Sequence, residues 1–240
     1  MSQEGAGAGL RESWEANAAA WTRAVRGGGI PSRRAGTDAA VLDLCARVLA
    51  DASAGVADGD PLRALDVGCG EGWLARALAE RGAAVLGVDG SAPLVEAARS
   101  AGGTARFAVA SYDDLVADER CAAGPWALVV CNFALLGDPL APLLAALARR
   151  LAPDGRLVVQ TVHPWTAMGD GAYASGWRVE RFAGFDEPFP APMPWFARTL
   201  GSWVAELRAG GLTLLAVEEP LHPETGRPLS LLLLAGRAAG

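Results

Sequence analysis

The sequence predicts an α/β protein: a doubly wound, seven-stranded, mostly parallel sheet with an antiparallel last strand and helices on both faces. A helical extension precedes the sheet, and a lid insertion follows the fifth strand. Three observations carry this reading. Apolar runs of strand length alternate with helical patterns from residue 62 to 162. A glycine-rich turn, Asp66-Val67-Gly68-Cys69-Gly70-Glu71-Gly72, lies between the first such run and the helix after it. The segment 163–196 is rich in Pro, Gly and aromatic residues and too long for an ordinary connection.

In chain order, residues 1–9 read as frayed. Leu10, Trp14, Ala18, Trp21 and Val25 follow helical spacing, giving a helix over 10–25 that stops at Gly27-Gly28-Gly29. A second helix fits 38–51 with Asp38 as N-cap. A polar linker, 52–61, leads to strands at Leu62–Val67, Ala84–Val88, Ala105–Val109, Trp126–Asn132 and Arg156–Val162. Between them helices fit 72–81, the segment from the cap Ser91 to Ala101, and 139–151. After the insertion come a helix over 197–209 and strands at Leu212–Glu218 and Leu229–Gly236. The connection Pro220–Pro228 is short and has no helix, so the last two strands should pair antiparallel. One domain, 1–240, is expected: a helical cap (1–61), a core (62–162), the insertion, and a C-terminal unit (197–240).

Composition narrows the function. The 240 residues are 51% hydrophobic and 20% charged, which suits a packed globular chain. The net charge is −6 and all 21 basic residues are Arg. Such a chain is poorly equipped to grip a phosphate backbone, so a small-molecule substrate is expected rather than nucleic acid. Four scattered cysteines without a CxxC pair, and no export segment, predict reduced thiols and a cytoplasmic location. No stretch approaches ~18 apolar residues, so no membrane partner is expected.

The glycine turn carries the chemistry. A dinucleotide fingerprint would place a third glycine where Trp73 stands, and an acid at position 66 would repel a pyrophosphate. A cationic ligand would be welcome there. Asp89, ending the second strand 19 residues after Gly70, stands where a ribose diol is read.

On these residues the sequence resembles the class I, Rossmann-like S-adenosylmethionine-dependent methyltransferases. Asp66–Gly72 is similar to the family's first motif, and Asp89 to its ribose-binding acid. Ala110-Ser111-Tyr112, Cys131-Asn132-Phe133-Ala134-Leu135 and Leu151-Ala152-Pro153-Asp154-Gly155 match further segments. The resemblance implies S-adenosylmethionine as cofactor, with S-adenosylhomocysteine as product. Its binding set would be Asp66, Gly68, Cys69, Gly70, Asp89, Gly90, Ser111, Tyr112, Asn132 and Phe133. Ser111 departs from the family, many of whose members carry Asp there. No metal is implied.

Other residues carry two readings each. Asp66 either meets the cofactor or merely caps a helix N-terminus. Cys69 and Cys131 lie close to the expected site, yet buried cysteines are usually inert. His163, at the carboxyl edge after the fifth strand, is either a general base or part of a His-Pro turn. His222 reads as a surface residue. Arg33 and Arg34 either pair with the cofactor carboxylate or sit in a solvated turn, with Arg34 the named candidate. Trp14 and Trp21 are either core residues or face the pocket. The aromatic residues of 163–196 suggest an apolar substrate lid. Methyl transfer to an O, N or C nucleophile of a small acceptor is the expected activity. The alternatives are a non-catalytic S-adenosylmethionine-binding protein and an NAD(P)-dependent oxidoreductase.

Overall fold

The computed structural model describes residues 3–53 and 61–238. Most of the anticipated 52–61 linker lies outside the described residues. The first helix, α1 (Gln3–Arg26), begins well before residue 10, so the segment expected to fray is helical from Gln3. A π-helical turn, Arg33–Thr37, interrupted at Gly36 by a left-handed backbone, leads into α2 (Asp38–Ser53). That turn was not anticipated.

The core then alternates as β1 (Arg63–Val67), α3 (Trp73–Ala79), β2 (Ala84–Asp89), α4 (Ala92–Ser100), β3 (Arg106–Val109), α5 (Tyr112–Ala117), β4 (Trp126–Asn132), α6 (Ala141–Arg150) and β5 (Leu151–Val162). The short α5 escaped the apolar pattern because it is built on a cap rather than a stripe. Ser111 accepts from the backbone N–H of Asp114, and the Asp114 carboxylate accepts from the Ser111 backbone N–H in return.

The insertion is not a bare loop. It holds α7 (Pro164–Met168) and a hairpin of β6 (Gly176–Glu180) against β7 (Met193–Ala197). After α8 (Leu200–Ala209) come β8 (Leu212–Glu218) and β9 (Ser230–Arg237). The main sheet has seven strands in the order β3-β2-β1-β4-β5-β9-β8. The first five are mutually parallel, and β9 runs antiparallel between β5 and β8.

Period-two alternation sends strand side chains to two cores. Leu65, Val67, Val129, Cys131, Leu157 and Val159 pack under α6 and α8. Ala64, Val85, Leu128, Val130 and Val158 pack under α2, α3 and α4. Both faces are covered, so the parallel strands read as unbroken apolar runs. On the α2 side a buried Gln160 donates to the Thr37 carbonyl (3.0 Å) and the Ser230 hydroxyl (2.9 Å), holding the π-helical turn against the sheet.

The insertion docks on α1. Asn17, fully buried, donates to the Ala191 carbonyl (2.8 Å) and accepts from the Ala191 N–H (3.0 Å), as a neighbouring strand would. Arg23 pairs with Glu187 nearby. The rings of Phe182 and Phe189 stack with centroids 4.1 Å apart, and Phe185 and Phe189 reach Trp21 at 6.2 and 6.4 Å. These rings therefore serve first to join the insertion to the N-terminal helix.

Candidate functional site

The parallel strands β1, β2 and β4 end together at the carboxyl edge, where open α/β sheets bind ligands. The chain leaving β1 turns sharply: the N–H groups of Gly68 and Cys69 both donate to the Val88 carbonyl, at 2.8 and 3.0 Å. Gly68 has φ +72°, and a Cβ there would lie 2.4 Å from Cβ of Ala134 in the loop after β4. Only a residue without a side chain lets the two loops approach so closely.

Asp89 ties this turn to β2. One carboxylate oxygen accepts from Gly70 N–H at 2.9 Å and the other from Ser91 N–H at 2.8 Å. Each oxygen keeps lone-pair capacity for a ligand hydroxyl. Burial raises the Asp89 carboxyl, with these two backbone donors opposing the rise. Gly90 lies beside the Ser111 backbone, on the rim between the ends of β2 and β3.

Asp66 is 1% exposed, and its Oδ2 has no partner among the described residues. Burial, then the negative charge of Asp89, push its carboxyl up to about 7, against a hydrogen bond from the Ala75 backbone. Glu71 is as deeply buried, but its Oε2 is held by Arg76 (2.8 Å) and Arg26 (3.2 Å). Asp66 and Asp89 are thus acids without a basic side-chain partner. Such a pair resists a pyrophosphate and favours a cation.

At the end of β4, Asn132 has a buried Oδ1 without a partner among the described residues, and Phe133 takes φ +51°. The Phe133 N–H donates to the Gln160 carbonyl at 2.8 Å. The Tyr112 hydroxyl donates to the Ala134 carbonyl at 2.7 Å, bracing the loop that faces the glycine turn. Cys69 and Cys131 are buried, and burial pushes both thiols upward, away from the reactive thiolate.

Four sequence candidates have other work. Arg34 bonds to the Gly28 carbonyl and to Asp186 (3.1 Å), tying the insertion to the end of α1. Arg33 is taken up by Asp38 and lies over the Trp73 ring. Ser111 uses its hydroxyl and N–H in the α5 cap. His163 is engaged at both nitrogens. Nδ1 accepts from Trp165 N–H at 3.2 Å, and Nε2 lies 2.7 Å from Glu219 Oε1. The first contact requires an unprotonated Nδ1, so Nε2 carries the proton and donates to Glu219.

Sequence reasoning did not single out Glu71, Arg26, Arg76 or Gln160. The half-buried ion pair of Arg26 with Glu71, joining α1 to the glycine turn, has no local spacing that announces it. The glutamine interrupts the apolar run Leu157–Val162 in β5, and that interruption was its only signal.

Residues 37–212 match the family model described as a methyltransferase domain. The chain belongs to this methyltransferase domain family, and its fold is the seven-stranded α/β fold of S-adenosylmethionine-dependent methyltransferases. The ubiquinone biosynthesis O-methyltransferase of Xylella fastidiosa (strain 9a5c) is 36% identical over 107 residues, covering 42% of each chain. The match thus spans less than half the length of that relative. An S-adenosylmethionine-dependent methyltransferase from Mesorhizobium loti is 25% identical with a TM-score of 0.57, over 77% of this chain and 95% of that one. Magnesium protoporphyrin IX methyltransferase from Synechocystis PCC 6803, solved with bound SAM, is 19% identical with a TM-score of 0.64 over 95% of both chains.

Proposed function

We propose that the chain is an enzyme transferring the methyl group of S-adenosylmethionine to an oxygen, nitrogen or carbon nucleophile of a small molecule. The observation that carries this reading is the acid pair at the glycine turn. Asp66 presents an unpartnered, buried carboxylate oxygen, and Asp89 keeps lone pairs over the end of β2. These residues fit a ligand with a cationic amino-acid tail and a ribose diol. Gly68, Cys69 and Gly70 let it approach the backbone, while Gly90, Ser111 and Tyr112 rim the neighbouring strand ends. Asn132 and Phe133 close the side next to β4. The relatives' activities support the class; the acceptor of this chain is proposed only as a small molecule, and no nucleic-acid or membrane partner is proposed. Among the described residues no helix is long and apolar enough to cross a membrane.

The sulfonium supplies an activated methyl group whose leaving thioether needs no proton. The protein's work is therefore alignment and exclusion of water, and alignment alone can supply roughly 7–11 kcal/mol. We assign His163 to positioning rather than base catalysis, because accepting a proton at Nδ1 would break its bond to Trp165 N–H. The insertion 163–196, seated on α1, is proposed to cover the acceptor.

Calorimetry with S-adenosylmethionine, S-adenosylhomocysteine and NADH tests the reading. Binding of both sulfur ligands that is lost in Asp89→Ala is expected. NADH binding with neither sulfur ligand bound would overturn it in favour of an oxidoreductase.

A further inference from the structure

We propose that the indole N–H of Trp21 donates a hydrogen bond to the carboxylate of the cofactor's amino-acid tail, so that a residue of α1 reads that end of the ligand. This rests on the methyltransferase reading of the glycine turn. The first observation is direction. Trp21 Nε1 lies 3.4 Å from where a Cβ on Gly70 would sit, and Cδ1 lies 4.0 Å from it. The donor edge of the indole therefore faces the turn whose N–H is bound by Asp89. Among the described residues no hydrogen bond engages that indole N–H, and Trp21 is only half-buried, so this donor is open to a ligand at the turn.

The second observation is rigidity. Trp21 meets Trp14 edge-on at 5.0 Å and is flanked by Phe185 and Phe189. Rings packed on several sides hold the N–H edge in place before any ligand arrives, which lowers the ordering cost of a bond made there.

The third is the fate of the nearby cations. Arg26 and Arg76 are paired with Glu71, Arg33 with Asp38, and Arg34 with Asp186. Asp66 and Asp89 suit the cationic and hydroxyl parts of the ligand and repel its carboxylate. A neutral donor not committed to an acid meets the remaining requirement, and Trp21 supplies one at the edge of the turn.

The test is a double-mutant cycle read by calorimetry and tryptophan fluorescence. Its arms are wild type and Trp21→Phe, each titrated with S-adenosylhomocysteine and with its decarboxylated analogue. Phenylalanine keeps one ring against Trp14, Phe185 and Phe189 and removes the donor together with part of the indole's packing surface; that packing loss weighs equally on both ligands, and thermal melting checks the fold of the variant. A hydrogen bond to a charged group corresponds to roughly a 10- to 100-fold change in affinity. Wild type should lose at least about tenfold on decarboxylation of the ligand, and Trp21→Phe should lose as much with the intact ligand. The variant should bind the decarboxylated ligand within about twofold of wild type. Equal losses for both ligands in Trp21→Phe, or no loss for either, would overturn the assignment and leave Trp21 a packing residue. Wild type binding neither ligand would instead sink the methyltransferase reading, and the assignment with it.

Discussion

Asp66 offers a test in which stability and binding move in opposite directions. Its carboxyl is held at about 7, against 3.8 for a free aspartate, because it is buried and faces the negative charge of Asp89. The native state therefore binds this proton more tightly than the unfolded chain, and the fold loses stability as pH rises from about 4 to about 7. About three pKa units at ~1.36 kcal/mol each amount to roughly 4 kcal/mol of ionisation cost carried at pH 8. Between pH 5 and pH 8 the share still to be incurred is roughly 2–3 kcal/mol, because at pH 5 the unfolded chain is already largely ionised. Asp66→Asn removes the ionisation while keeping the shape. Urea unfolding of the ligand-free protein should show the wild type losing roughly 2–3 kcal/mol more than Asp66→Asn over that interval. S-adenosylmethionine affinity should fall in Asp66→Asn and lose its decline below pH 7, since the cation binds the ionised carboxylate. Parallel pH–stability curves for the two proteins would refute the reasoning, whatever happened to binding.

Two further outcomes follow from the same geometry. Gly68→Ala should cost about 2–4 kcal/mol in denaturant unfolding, because a methyl group there meets Ala134 at 2.4 Å in a backbone conformation unsuited to L side chains. His163→Ala should lower stability by about 1–2 kcal/mol through the lost cap at Trp165 and the lost Glu219 contact. It should leave turnover of any accepted substrate within a few-fold and its pH profile unmoved. A drop of about 100-fold together with loss of the acid limb would restore His163 as a general base.

Much of the fold was legible because its signals are local. Buried parallel strands are continuous apolar runs, and Trp126–Asn132 and Leu212–Glu218 matched the sequence reading at both ends. The antiparallel pairing of β8 with β9 followed from a connection too short for a crossover. Elements defined by caps or by distant partners were less visible. The α5 cap at Ser111 rests on a four-residue box with no apolar stripe, and the Arg33–Thr37 turn had no periodicity to betray it. The hairpin in the insertion was hidden by prolines and glycines that resemble loop composition.

The sequence by itself determined the doubly wound sheet, the glycine turn and the spacing of Asp66 to Asp89, because each depends on residues close together in the chain. Tertiary structure decided which side chains are already occupied. Arg34 is tied to Asp186, and His163 is held by Glu219. The same structure brought Trp21, on α1, over Gly70, and Arg26 onto Glu71. Those pairings join residues 45 to 152 positions apart. No periodicity or short motif encodes such a meeting; it exists only once α1, the turn and the insertion have packed together.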